Sequence, residues 1–154
     1  MSDGLTHATF NFACTAATFI LGTVYQEQVP LLTEQRLIWI TCGMLIGTVL
    51  ITPDIDMKRT RTLALQAWGP LEILWRPLLH FSKHRGISHT YLRGPALRIT
   101  YLLLLLSPLL YWLHTRAPDI GVNAEHLTLL YGGYMVAQWW HLLLDRIPPT
   151  LSRL

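Results

Sequence analysis

Apolar residues along this chain gather into four long runs, separated by polar or turn-forming stretches. The runs extend over Ala8–Tyr25, Leu37–Thr52, Leu97–Leu113 and Leu127–Leu144. Each holds 16–18 residues, near the lower limit of the ~17–25 that cross a hydrocarbon core, so flanking residues must help to span it. The pattern predicts an all-α membrane protein with about four transmembrane helices, built as one domain over residues 1–154. The first run is diluted by Asn11, Thr15 and Thr18. Polar insertions of this kind favour a helix packed inside a bundle over one that faces lipid. Met1–His7 carries no Lys or Arg, so the basic segment that opens a signal peptide is missing.

The connection between the second and third runs, about Pro53 to Ala96, is too long and too apolar for a plain linker. Leu63–Leu79 reads as two short amphipathic turns, interrupted at Gly69-Pro70 and again at Pro77. Trp68, Leu71, Ile73, Leu74, Trp75 and Leu78 suit an interfacial helical segment lying in the inner membrane surface, with Arg76 turned to water. A short helix packed on the bundle is an equally open reading.

Composition supports the membrane assignment. Apolar residues make up 51% of the chain and charged residues 14%, against roughly 25% charge in soluble domains. A mean hydropathy of +0.34 leaves room for a sizeable part outside the bilayer. Cys14 and Cys42 both sit inside apolar runs and read as small packing residues rather than a disulfide or a thiolate metal site.

A net charge of +3 would admit nucleic acid as a partner, but the placement of the charges argues against it. Lys58, Arg59, Arg61, Arg76, Lys83, Arg85, Arg93 and Arg98 lie between the second and third runs, and Arg146 and Arg153 follow the fourth. The other two connections hold only Arg36 and Arg116, beside Glu27, Glu34, Asp119 and Glu125. This asymmetry places both termini and the central loop in the cytoplasm. Trp39 and Trp112 then fall at the outer interface and Trp139-Trp140 at the inner one, as aromatic belts do. The remaining basic residues act as topology determinants drawn to anionic lipid, which makes membrane lipid a partner and excludes nucleic acid.

With that orientation, imidazoles and carboxylates from four distant segments reach one side of the membrane. His84-Arg85-Gly86-Ile87-Ser88-His89 supplies two imidazoles about Gly86, which allows a tight bend. Asp54 and Asp56 follow Pro53, which disfavours helix at Thr52; in an extended segment, carboxylates two apart face one way. His7 opens the first run, while His141 and Asp145, four apart, share a face at the cytoplasmic end of the last. An ionisable group at the depth of His141 points to function or pairing. His114 and His126 fall on the outer side and read as surface residues, and His80 is left unassigned.

Mixed histidines and carboxylates suit a divalent transition metal, zinc before manganese or iron, rather than calcium or magnesium. Seven candidates, His7, Asp54, Asp56, His84, His89, His141 and Asp145, exceed one shell of four to six, so either two ions or supporting partners are implied. The leading expectation is a membrane-bound metal-dependent hydrolase that acts on a small-molecule, phosphoester or lipid-like substrate at the inner leaflet. In it, Arg85 binds the anionic group and a carboxylate outside the metal shell, Asp56, serves as base. The alternative is a non-catalytic metal-binding scaffold or assembly factor, distinguished by a closed ligand shell. Metal transport is disfavoured, because no ligand lies near the middle of a span. Oligomeric state is not legible.

These motifs also carry a resemblance. Thr6-His7, Pro53-Asp54-Ile55-Asp56, His84-Arg85-Gly86-Ile87-Ser88-His89-Thr90 and the His141–Asp145 pair are similar, in order and spacing, to a family of bacterial membrane proteins known as membrane-bound metal-dependent hydrolases. Within it, the chain looks closest to a branch of metal-binding proteins common in cyanobacteria. The resemblance covers most of the chain and is most specific at His84–His89. It implies a divalent metal held by these histidines and aspartates.

Overall fold

A computed structural model of the chain describes residues 4–56, 62–81, 87–117 and 121–148. Among the described residues the chain is helical, with no strand. Four long helices occupy the predicted runs and extend beyond most of their limits: α1 (Gly4–Val24), α2 (Glu34–Val49), α5 (Arg93–Arg116) and α6 (Ala124–Leu144). Two short helices, α3 (Leu63–Trp68) and α4 (Arg76–Phe81), lie between α2 and α5, joined by a 3-10 stretch over Gly69–Trp75. Further 3-10 turns cover Pro53–Asp56 and Ile87–His89.

Local chemistry sets several of these boundaries. Thr33 caps α2 by accepting from the Arg36 backbone N–H, and Thr62 caps α3 through Leu65; each hydroxyl satisfies a first-turn N–H that has no helical partner. Asn123 and His126 cap α6 reciprocally. The Asn123 side chain accepts from the His126 N–H, and the His126 ring accepts from the Asn123 N–H. His126 is therefore not the surface residue that its outer position suggests. It is buried, stacked on Trp39 at 4.7 Å and within 3.0 Å of the Gln35 amide. His114 is exposed, as expected.

The closest pairing is α2 against α6. Gly43 and Gly47 on α2 face Gly133 and Ala137 on α6. A Cβ on Gly43 would strike the Leu130 carbonyl oxygen, and one on Gly133 the Ile40 carbonyl oxygen. A Cβ on Gly47 would stand 2.9 Å from the Ala137 methyl. Small residues four apart on both helices thus let the two backbones touch, the arrangement by which membrane helices associate without a hydrophobic driving force.

A buried polar network locks the half of this pair nearer the C-terminal end of α6. Gln138 of α6 is fully buried; its side-chain amide nitrogen, Nε2, donates to Gly47 O at 3.0 Å and Ile51 O at 2.9 Å. Its Oε1 accepts from Arg98 of α5 at 2.7 Å. Arg98 is therefore a buried structural cation, not the lipid-facing topology residue it resembles in sequence. Gln138→Leu is expected to lower stability by about 2–4 kcal/mol, because it removes three buried hydrogen bonds and the acceptor of a desolvated guanidinium. A chemical-denaturation midpoint close to that of the wild type would contradict this.

The central segment packs on the bundle rather than lying free on a surface. Trp75, Ala64 and Leu78 join Ile51, Ile55, Leu102, Tyr134 and Met135 in one core. The Trp68 indole donates to Leu50 O, and the Tyr101 hydroxyl donates to Leu74 O. Leu63, Leu71 and Ile73 of the same segment still point outward. Two stretches, Glu34–Ile55 and Arg93–Arg116, are long and apolar enough to cross a membrane. The second lies at the perimeter, with Leu103, Leu104, Leu110, Tyr111 and Trp112 uncovered. Cys14 and Cys42 are free thiols; Cys14 is half-buried, whereas Cys42 is exposed rather than packed.

Candidate metal centre

Four elements deliver polar side chains to one end of the bundle: the first turn of α1, the 3-10 turn after α2, the 3-10 turn before α5, and the last turn of α6. The up-and-down course makes this unavoidable, since α1 and α5 begin where α2 and α6 finish. His7 comes from the first, Asp54 from the second, His89 from the third, and His141 with Asp145 from the fourth. Asp145 is the last residue of the α6 cap, its N–H bonded to His141 O at 3.1 Å. His7, Asp54, His89 and His141 are buried, and the Asp145 side chain is 12% exposed.

Asp54, His89, His141 and Asp145 each offer a ligand atom, and all four atoms lie within 4.8 Å of one another. His141 Nε2 is the hub, 3.4 Å from Asp54 Oδ1 and 3.6 Å from Asp145 Oδ2. His89 Nε2 stands 3.8 Å from Asp145 Oδ2. His7 adjoins the group, with Nδ1 3.2 Å from His141 Nε2 and Nε2 3.8 Å from Asp145 Oδ1. The two imidazole rings meet edge-on at 81°.

These separations bear on what the residues can hold. Charge-assisted N–H···O bonds are about 2.7–2.9 Å long, and the imidazole–carboxylate distances here, 3.4–3.8 Å, exceed that. They lie near the edge of a tetrahedron of donors around an ion with bonds of about 2.0–2.2 Å, roughly 3.3–3.6 Å. The charge also fits. Two carboxylates with neutral imidazoles carry the −2 that a divalent cation cancels, and desolvated carboxylates this close to each other are stabilised by a cation. The donor set therefore fits a divalent metal.

The structure brings together five of the seven residues singled out as ligands. His84 lies outside the described residues, as do Arg85 and the Asp56 side chain. The backbone does correct one expectation: Pro53–Asp56 is a 3-10 turn, not an extended segment. With about three residues per turn, positions two apart diverge, so the reason for aiming Asp54 and Asp56 at one ion does not hold. Sequence reading also passed over a pocket beside the donors. Its walls include His7, Asn11, Thr48, Thr52, Asp54 and His141, around a cavity of about 20 Å³. Asn11 had registered only as a polar interruption of α1.

Comparison with known proteins agrees with this chemistry. The chain belongs to a family described as "Uncharacterized metal-binding protein (DUF2227)", whose model matches residues 2–154. A protein of Aquifex aeolicus (strain VF5) is 38% identical over 60 residues, covering 39% of this chain and 41% of that protein. No solved structure matches. Metal binding is thus a property of the family, and this chain carries a His/Asp cluster able to supply it.

Proposed function

We propose that this chain is an integral membrane metal-dependent hydrolase whose His/Asp centre faces the cytoplasm and acts on a phosphoester or lipid-like substrate. One observation supports the membrane part above others: α1 is built inside out. Its buried side holds His7, Asn11 and Thr15, while Leu5, Phe12, Phe19, Ile20 and Leu21 face outward. A helix in water would bury the second set; lipid is the solvent in which this polarity is favourable. Together with α6 and the two longest apolar stretches, this gives a four-span reading. The ten-to-two bias of basic residues sets both termini inside. Cysteines introduced at Leu31 and Val122 should react with an impermeant reagent in intact cells. Labelling of both positions only after permeabilisation would reverse the orientation.

The catalytic part is supported by the cavity against Asp54 and His141, since a purely structural site closes its shell with side chains. An ion held by Asp54, His89, His141 and Asp145, with zinc the leading choice, would supply Lewis acidity and lower the pKa of adjacent water toward ~7. The protein's own share is to fix the donors, to exclude bulk solvent through the buried His7 and His89, and to bind the substrate anion through Arg85. Leu63, Leu71 and Ile73, exposed on the neighbouring segment, would hold an acyl tail and so lower the entropic cost of reaction.

Protein purified in mild detergent should hydrolyse a generic phosphodiester, lose that activity to chelator and regain it on metal addition. Arg85→Ala should lower the rate more than the metal content. A metal-loaded protein that turns over neither generic phosphodiesters nor lipid phosphoesters would favour the second reading, a metal-binding scaffold. The burial of three of the four clustered donors is the observation in favour of that alternative.

A further inference from the structure

Five threonines among the described residues are buried: Thr15, Thr41, Thr48, Thr52 and Thr90. Four of them spend the hydroxyl proton on a carbonyl about one turn back. Thr15 donates to Asn11 O, Thr41 to Leu37 O, Thr48 to Met44 O and Thr90 to Ile87 O, each at 2.8 Å. Thr52 does not. α2 ends at Val49, and the following Pro53 disfavours helical geometry at Thr52, so no helical carbonyl stands behind its hydroxyl. Thr52 is 7% exposed, yet its hydroxyl bonds to no described residue and is not sealed off. The open space it borders is the cavity beside the donor set. A buried donor left unused is costly, and native proteins supply it with an acceptor.

Thr62 stands on another wall of the same cavity, at the start of α3. Its Oγ1 accepts from the Leu65 N–H, and a hydroxyl that accepts still has its proton to give. Two uncommitted protons, from the end of α2 and the start of α3, therefore meet the cavity next to Asp54 and His141. Thr48, with its proton spent, and the Asp54 carboxylate offer lone pairs on the same walls. The Asp54 charge repels an anion unless a divalent ion cancels it, so an anion held here needs the ion. The cavity, at about 20 Å³, takes one or two oxygen-sized groups of roughly 10–15 Å³ each. A nucleoside, sugar or peptide does not fit. Leu63 also lines the cavity and is 38% exposed, so the rest of a substrate has room outside, along the apolar Leu63, Leu71 and Ile73.

We infer that Thr52 and Thr62 form an oxyanion cradle beside the metal centre, each donating its hydroxyl proton to a non-bridging oxygen of a phosphoryl group. A hydrogen bond to a charged oxygen is short and roughly twice as strong as a neutral one. The two hydroxyls therefore favour a phosphoryl oxygen over the water they would otherwise hold. The phosphoryl group enters between α1 and α3, oxygens first, with its ester chain left over Leu63. The inference rests on the metal centre given above and deepens the phosphoester reading by naming the side chains that seat the phosphoryl oxygens.

The test titrates inorganic phosphate into the full-length, Co2+-loaded protein in mild detergent, read by calorimetry and by the visible Co2+ band. Wild type should bind phosphate saturably and shift that band, whereas chelator-treated protein should not bind it. Thr52→Val, nearly isosteric, should weaken phosphate binding by about tenfold or more, because the lost bond ends on a charged oxygen. Its Co2+ stoichiometry and thermal midpoint should be unchanged. Thr52→Ser, which restores the hydroxyl, should recover wild-type affinity. Thr62→Asp is a second variant that still caps α3, and its carboxylate should abolish phosphate binding in a folded protein. Wild-type phosphate affinity in folded, Co2+-loaded Thr52→Val and Thr62→Asp would overturn the inference. So would a wild type that binds Co2+ but no phosphate. A wild type that takes up no Co2+ would bring down the metal reading and the cradle with it. Phosphate bound as expected by a protein that hydrolyses no phosphoester would sink only the hydrolase reading and support the cradle as an anion site.

Discussion

Replacing His141 by alanine is expected to strip the protein of its metal while leaving it folded and helical. His141 Nε2 lies at the middle of the cluster, 3.2–3.6 Å from ligand atoms of His7, Asp54 and Asp145. Its loss removes a ligand from the centre of the set, not a partner behind one. The fall in affinity should therefore exceed the roughly 10–100-fold that follows the loss of a supporting hydrogen bond. His89→Ala and Asp54→Asn should show the same direction. His126→Ala, an imidazole also buried but at the opposite end of α6, is the control and should leave metal content unchanged. Elemental analysis of protein purified without chelator reads all four variants. Stoichiometric metal in His141→Ala would place the ion elsewhere, in the segment that includes His84.

The second large effect is on the fold. Gly133→Val should separate α2 from α6 and prevent accumulation of folded protein, because the added atoms meet the Ile40 carbonyl, which is backbone and cannot rotate away. Ordinary overpacking costs about 1–3 kcal/mol, because flexible side chains give way; here a helix must move, so the cost should be greater. Gly43→Val meets the Leu130 carbonyl in the same manner. Gly132→Val is the internal comparison, since nothing lies near a Cβ there, and it should behave like an ordinary surface change. The same glycine pair carries the metal centre, since α2 leads directly into Asp54 and α6 ends in His141 and Asp145. Partial separation should show first as lost metal. Equal yield and equal thermal midpoint for Gly133→Val and Gly132→Val would mean that the helices do not touch at this crossing.

The helices themselves were legible from the apolar runs, because 16–18 residues is longer than an ordinary strand and suits a helix. Their ends shifted by a few residues, since capping side chains such as Thr33 and Asn123 extend a helix past its apolar stretch. The convergence of His7, Asp54, His89, His141 and Asp145 on one end was also legible. Four antiparallel helices joined in chain order alternate direction, so each position's height in the bundle follows from its place along its own run.

Rotation about each helix axis is another matter, and it depends on partners distant in sequence. Arg98 reads as one more basic residue beside a span until Gln138 meets it, and His126 reads as surface until Trp39 covers one of its faces. Asn11 looks like a flaw in an apolar helix until α6 packs against it and Ala137 O accepts from its amide nitrogen. Gly43, Gly47, Gly133 and Ala137 held a spacing that was readable in the chain, but which helix each would face was not. Height along the bundle was therefore set by the order of residues, because the ends of successive long helices come together where the chain passes from one to the next. The identity of each residue's neighbours was decided only in three dimensions, because contacts between helices depend on how two surfaces of side chains interlock.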